Sequence, residues 1–468
     1  MPLPETLTGL ALHWNAEPFG EASVELKQCN DQGQWQRLGS ADNRSERLTT
    51  LPAANTASGT HYVWQWAPVN AQDTPLARLR VEPASVRPAL AAVGVAHDPE
   101  ASACLLIVQG GSLAEVASQV LDAVKADTGQ PLLVVTRNAW SLAADHTVNP
   151  EQRALWGLLR VACAEQPERA LAVIDLDSSN RNGSAEWQAL LPGLKAAQSG
   201  ERWIAVRDGV AQVQTLSVQL HQSASLPAQS FKDTGWHIVT GAFGGLGRLS
   251  SHWLADQGAS RIALLAPRCP HDGEQWINTL QQHYGCEIRW MACDISDQAA
   301  LAACLDALRA EGGLSGAIHS AGVLDDTPLS NLDAARMQPL LQVKCSAARQ
   351  LQTALADQGR YLLLYSSAAA SLGAAGQGAH AVASAYLDGL AESQTDAACT
   401  RSVSRGAHGA KPDAHLTTNC MRNWHSAAWV RWQPAKACGT WNRRSCAIRR
   451  GVWRCVSTLS ASIRAGVC

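Results

Sequence analysis

The stretch that most constrains this chain is Gly235 to Gly247. Gly235-Trp236-His237-Ile238-Val239 is a short apolar run with the character of a buried strand. Thr240-Gly241-Ala242-Phe243-Gly244-Gly245-Leu246-Gly247 follows it and opens a helical pattern, which sets Gly241, Gly245 and Gly247 in the spacing G-x-x-x-G-x-G. Glycines let a backbone approach a pyrophosphate, and a helix starting there offers free N–H groups and the positive end of its dipole. Thr240, Gly241, Gly244, Gly245, Leu246 and Gly247 are therefore the candidate phosphate cradle, with a ligand-free glycine turn as the plain alternative. Such a strand, loop and helix belong in a parallel α/β sheet.

The strands that follow extend this reading. Arg261 to Ala266 ends in Pro267-Arg268, and Glu287 to Ala292 ends in Cys293-Asp294. At the carboxyl ends of successive parallel strands, Arg268 suits a ribose 2′-phosphate and Asp294 the adenine amino group, so the arginine favours NADP over NAD. The alternatives are a solvated arginine and a helix-capping aspartate. A further strand, Gly316-Ala317-Ile318-His319-Ser320-Ala321-Gly322, closes in small residues, and Ala321 and Gly322 leave room for a nicotinamide.

Upstream, an apolar strand, helix and strand (Cys104 to Val108, Leu113 to Asp127, Leu132 to Thr136) begin a second α/β rhythm with no phosphate loop. The sequence thus divides into a β-rich lead-in at 1–94, an α/β subdomain at 95–220, a second at 235–398, and a remainder at 399–468. The fold class is α/β with two Rossmann-like subdomains, of which the second alone carries a candidate nucleotide-binding loop.

Composition adds one decisive observation. The 468 residues carry 38 Lys and Arg against 40 Asp and Glu, yet residues 400–468 hold 12 of those bases and 1 of those acids. The same segment contains Trp424, Trp429, Trp432, Trp441 and Trp453 and has no apolar periodicity. A basic, aromatic nucleic-acid-binding arm is one reading of it. No apolar run approaches the roughly eighteen residues of a membrane span, and the start lacks a secretion signal, so a cytoplasmic protein is expected, with neither membrane nor nucleic-acid partner. The 14 cysteines show no disulfide or zinc spacing, and no metal site is expected.

The glycine loop, His319-Ser320-Ala321-Gly322-Val323-Leu324-Asp325-Asp326, and Ser366-Ser367 followed by Gly376-Gln377-Gly378 stand in the order and spacing of a known family. The chain resembles the short-chain dehydrogenase/reductase superfamily and, within it, the ketoreductase domain of modular polyketide synthases, over about residues 103–398. Leu155-Trp156-Gly157-Leu158-Leu159-Arg160 and Glu165-Gln166-Pro167-Glu168-Arg169 resemble its structural subdomain. Trp236 to Leu249 and Arg261 to Arg268 look like the ketoreductase of yersiniabactin-type siderophore synthases.

The resemblance implies NADPH-dependent reduction of a β-ketoacyl thioester on an acyl carrier protein, beside other synthase domains, in polyketide or siderophore biosynthesis. Lys344 matches the family lysine and Ser367 the serine that hydrogen-bonds the carbonyl oxygen. The family tyrosine, thirteen residues after that serine, is here His380, and the asparagine four further on is Ser384. Tyr386, six residues beyond His380, lies about 240° around a helix and is expected in the core. Histidine can donate a proton near neutrality, although a nearby lysine disfavours the imidazolium. The rival readings are a catalytically impaired scaffold and a truncated fragment. Leu324, Asp325 and Asp326 resemble the motif of the class giving a D-configured alcohol and, with Gln377, are the substrate and stereocontrol candidates.

After its Leu-Asp-Gly-Leu-Ala helix the family continues with a segment like Leu-Ser-Val-Ala-Trp-Gly-Ala-Trp-Gly-Glu. Thr400 to Lys411 admits codons that, read in another frame, encode Ala-Leu-Ser-Val-Ala-Trp-Gly-Ala-Trp-Gly-Glu. A frameshift near residue 399 is therefore expected. With it go a lost set of final strands, an unpaired sheet edge and no coherent packing beyond Arg401.

Overall fold

The computed structural model describes the chain except for residues 1–8, 16–22, 30–34, 43–57, 127–129, 143–146, 178–186, 223–230, 357–360, 394–399 and 407–468 and single positions 70, 72, 75, 77, 83, 102 and 232. Two compact units divide between residues 62 and 63, with 218–224 joining the smaller. The smaller unit contains an antiparallel sheet of β1 (Gly9–Asn15), β2 (Ser23–Cys29) and β3 (Trp35–Asp42), in that order.

The larger unit holds two α/β layers. The first sheet combines β4 (Ser58–Pro68), β5 (Arg80–Glu82), β6 (Cys104–Ile107), β7 (Leu132–Arg137), β8 (Leu171–Leu176), β9 (Trp203–Arg207) and β10 (Val210–Gln222) in the order β4-β10-β9-β8-β7-β6-β5. Strands β5 to β9 run parallel, and β10 returns antiparallel on β9. This layer therefore starts before the boundary read from the sequence at 94/95, because β4 and β5 are its two edges. Every residue of β8 is buried, as both faces of a parallel sheet require.

Helices follow the apolar periodicity. After α1 (Arg87–Ala91), α2 (Leu113–Lys125) opens on a capping box between Ser112 and Glu115 and buries Val116, Ala117, Val120, Leu121 and Val124 on one face. Asn149 caps α3 (Pro150–Glu165), with Pro150 in the first turn, and α4 spans Leu190–Gln198.

At the carboxyl end of this sheet Asp175, wholly buried, accepts hydrogen bonds from Thr136 Oγ1 (2.8 Å), Ala139 N (2.8 Å) and Trp140 N (3.2 Å) and pairs with Arg207 at 2.6 Å. A buried carboxylate so completely partnered is satisfied by the protein's own groups.

The second sheet contains β11 (Trp236–Thr240), β12 (Arg261–Ala266), β13 (Glu287–Ala292), β14 (Leu314–His319), β15 (Tyr361–Ser367) and β16 (Thr400–Gly406). All its pairings are parallel, in the order β13-β12-β11-β14-β15-β16. Renumbered from its first strand this is 3-2-1-4-5-6, and the order reverses between β11 and β14, where such sheets bind dinucleotides. Its helices are α5 (Gly245–Asp256), α6 (Gly273–Tyr284), α7 (Gln298–Ala310), α8 (Ala334–Leu341), α9 (Ala347–Ala354), α10 (Ala369–Leu372) and α11 (Gly378–Glu392), with a π-helical turn, Gln342–Ser346, joining α8 to α9.

Strand β16 corrects one expectation. Thr400–Gly406 pairs with Tyr361–Ser367 along its whole length, so β15 is not left as an open edge there. Residues 407–468, with the tail tryptophans, lie outside the described residues.

The two layers meet through α3 and α11. A Cβ added at Gly157 would fall on the carbonyl of Ala381 and 2.9 Å from the Cβ of Ala385, so only glycine lets these backbones approach so closely. Among the described residues no helix is long and apolar enough to cross a membrane.

Candidate active site

The glycine loop sits at the switch point. Gly241 holds φ +62°, and a Cβ there would lie 2.7 Å from the Cα of Ala321 at the end of β14. A Cβ at Gly247 would lie 2.7 Å from the Cα of Ala242, so the loop packs backbone to backbone. Gly244 N donates to Gly241 O at 2.9 Å, and Gly244 caps α5 with no side-chain hydrogen bond. The first turn of α5 therefore directs its N–H groups toward the crevice with no side chain of its own to satisfy them.

Thr240 ties this loop to its neighbours. His319 Nε2 lies 3.0 Å from the carbonyl oxygen of Lys344, which can only accept, so that nitrogen carries the proton. Burial holds the imidazole neutral, with a pKa pushed down to about 4. Nδ1 then accepts from Thr240 Oγ1 at 2.7 Å, and Thr240 Oγ1 accepts from Ala321 N at 3.4 Å. Ser320 Oγ donates to Thr240 O at 2.7 Å. One imidazole thus spans the glycine loop, β14 and the turn that carries Lys344.

Lys344 lies in the π-helical turn, buried, and its Nζ donates to Ser384 Oγ at 2.8 Å. Burial lowers its pKa to about 8. Ser384 stands one turn after His380 on α11, so lysine and histidine meet the same face of that helix. Ser366 Oγ donates to the carbonyl of Ser384 at 2.9 Å, fastening the end of β15 to α11. Ser367 closes β15, buried, and its Oγ accepts from Ala369 N at 3.2 Å. Tyr386 is buried away from this set, its hydroxyl accepting from Arg349 Nε at 2.7 Å, and burial pushes its phenol up.

Residues 323–327 and 373–377 form a second group. Asp325 takes a two-pronged contact from Arg336, whose hydrogen bond holds the carboxyl below its usual range. Gln377 Nε2 donates to Asp326 Oδ2 at 3.1 Å. Leu324 is 58% exposed, and Leu246, over the start of α5, is 45% exposed.

Residues 235–407 match a family model described as KR domain, and residues 52–216 match one described as polyketide synthase extender module SpnB, Rossmann fold domain. Residues 235–407 are similar to the ketoreductase (KR) family. The chain is 37% identical over 269 residues to polyketide synthase GfsA of Streptomyces halstedii, covering 56% of this chain and 4% of that protein. It is 32% identical over 306 residues to erythronolide synthase EryA3 of Saccharopolyspora erythraea, covering 65% and 9%. A solved structure described as A-type ketoreductases from a modular polyketide synthase superposes with a TM-score of 0.65 at 27% identity, over 79% of this chain and 92% of the other. The chain therefore spans a small fraction of the curated relatives' length and nearly all of the excised ketoreductase.

The ketoreductase crevice fits a dinucleotide at several points. Gly241, Gly244, Gly245 and Gly247 bring no Cβ to the cradle, α5 presents uncapped N–H groups, and a Cβ added to Gly322 would meet nothing within 4 Å, which leaves open space beside β14. Arg268 is exposed beyond β12 and Asp294 beyond β13. Asp294 Oδ1 also accepts from Ser296 Oγ (2.7 Å) and Ser296 N (3.0 Å), which lowers its pKa. Sequence reasoning passed over His319, which read as one more residue of its motif, and over Ser384, which read only as a missing asparagine.

Proposed function

We propose that the ketoreductase domain reduces the β-ketone of an acyl chain held as a thioester on an acyl carrier protein, using NADPH, and gives the β-hydroxyacyl thioester. The observation that carries this reading is the 2.8 Å hydrogen bond from Lys344 Nζ to Ser384 Oγ, which brings the family lysine onto the helix of His380. Thr240, Gly241, Gly244, Gly245, Leu246 and Gly247 would hold the pyrophosphate, Arg268 the 2′-phosphate and Asp294 the adenine, and Ala321 and Gly322 would leave room for the nicotinamide. Bound there, the cofactor supplies a hydride to the ketone carbon.

The chain's own residues manage the oxygen. Ser367 Oγ donates a hydrogen bond to the carbonyl oxygen, where negative charge develops. His380, as imidazolium, passes a proton to that oxygen and is recharged from water. Lys344, held from the π-helical turn against Ser384 one turn along α11 from His380, would engage the ribose and add positive potential. Leu324, Asp325, Asp326 and Gln377 set the face of the ketone that is presented, in the manner that gives a D-configured alcohol. The narrower reading, a siderophore-type assembly line, rests on Trp236 to Leu249 and Arg261 to Arg268.

The test is NADPH oxidation with a β-ketoacyl thioester. Lys344→Ala and Ser367→Ala each lower turnover by about a hundredfold or more. Equal turnover in both variants defeats the assignment. One observation favours a second reading: an imidazole is shorter than the phenol it replaces at 380. A scaffold would bind NADPH, seen by fluorescence titration, and consume none with the thioester present.

A further inference from the structure

Glu165, the last residue of α3, belongs to the structural layer, yet both its carboxylate oxygens serve the catalytic one. Oε2 accepts from the backbone N–H of Leu329 and Oε1 from that of Gly376, each at 2.8 Å. These amides lie 164 and 211 residues further along the chain, one in each loop of the substrate mouth. Leu329 follows the segment with Leu324, Asp325 and Asp326, while Gly376 precedes Gln377, the cap residue of α11 and three before His380.

The two loops are also laced to each other. Thr327 N donates to Gly376 O at 2.7 Å, and Gln377 Nε2 reaches Asp326 Oδ2 at 3.1 Å. The second loop rests on the same helix as Glu165, since a Cβ at Gly373 would come 2.5 Å from the carbonyl oxygen of Arg160. A carboxylate accepting two amides makes two charge-assisted bonds, stronger and more directional than neutral ones. Its geometry fixes the gap between the two loops.

We propose that Glu165 is a positioning residue of the ketoreductase: from the structural layer it sets the spacing between the Leu324–Asp326 loop and the start of the His380 helix, and so governs how the ketone is presented. This rests on the ketoreductase reading. Glu165 touches neither the glycine cradle nor the Lys344 turn, so its effect falls on substrate handling and product configuration and spares cofactor binding.

The experiment compares the full chain with Glu165→Ala and Glu165→Gln. By hydrogen exchange, Glu165→Ala speeds the amides of 327–331 and 374–378 about tenfold or more while those of 241–247 keep their rate. NADPH affinity stays within about twofold, kcat/KM for a β-ketoacyl thioester falls about tenfold or more, and the diastereomeric purity of the alcohol drops. Glu165→Gln, which keeps one acceptor oxygen, recovers part of each loss. Unchanged exchange in both loops overturns the proposal. So does acceleration spread evenly over the chain with NADPH affinity lost in step, which is the signature of a purely structural residue. If the unaltered chain turns over no ketone, the ketoreductase reading fails by itself, and localised exchange with retained NADPH affinity still decides whether Glu165 sets the loops.

Discussion

Lys344 Nζ donates to Ser384 Oγ across 2.8 Å, and that bond joins the π-helical turn after α8 to the helix bearing His380. The family arrangement has an asparagine at the serine's position and a tyrosine at the histidine's, so two of its usual groups are replaced together on one face of α11. The lysine keeps a hydrogen-bonded place between them.

Because burial holds the Lys344 pKa at about 8 against 10.5 for a free lysine, the unfolded chain binds more protons between those values. Lys344 therefore contributes stability that is fully present above pH 10.5 and lost as pH falls through 8. Lys344→Met should be more stable than the unaltered chain near pH 7, by about 3 kcal/mol at most, with the advantage shrinking toward pH 10.5. Denaturant unfolding at several pH values checks this, and a constant difference would contradict it.

His319 should show the same effect of burial at lower pH. Its pKa of about 4 lies below the ordinary 6.5, so its stability is present above pH 6.5 and lost as pH falls through 4. His319→Leu removes the partner of Thr240 Oγ1 and of the Lys344 carbonyl, costing about 1–3 kcal/mol for each group left unmade. The variant should also lack its share of the acid loss between pH 6.5 and 4. Thermal melts over that range measure both effects.

Much of this was legible in the sequence because it is local. The strand, the glycine loop and the helix after it run unbroken from Trp236 to Asp256, and the chemistry of Gly241 and Gly247 is a backbone matter. What escaped reading is long-range. Thr240 and His319 are 79 residues apart, and Glu165 and Gly376 are 211 apart, so no spacing announces either pair. Thr400–Gly406 carries two arginines and one valine, a poor strand by pattern, and becomes one through its ladder with β15. The first layer begins earlier than the apolar rhythm indicated because β4 and β5 are sheet edges, whose one-sided pairing leaves a weak signal.

Gly322→Ala separates cofactor binding from folding. The added methyl meets nothing within 4 Å, so stability should hold to about 0.5 kcal/mol while NADPH affinity falls about tenfold or more through steric exclusion. Full affinity in a folded variant would move the nicotinamide away from β14.

Resequencing the coding DNA across codons 395 to 405 should reveal a one- or two-base discrepancy that restores the Trp-Gly-Ala-Trp reading. The charge reversal after residue 399 motivates this, and β16 already takes the place of the strand that the restored frame would encode. An unaltered sequence would defeat the frameshift.

The central claim is that His380 supplies the proton to the ketone oxygen. Its most direct test is NADPH-dependent turnover of a β-ketoacyl thioester by the full chain, by His380→Phe and by His380→Tyr. With His380 as the proton donor, turnover is measurable in the first, falls about a hundredfold or more in His380→Phe, and is retained or raised in His380→Tyr. Turnover in His380→Phe equal to that of the unaltered chain would contradict it.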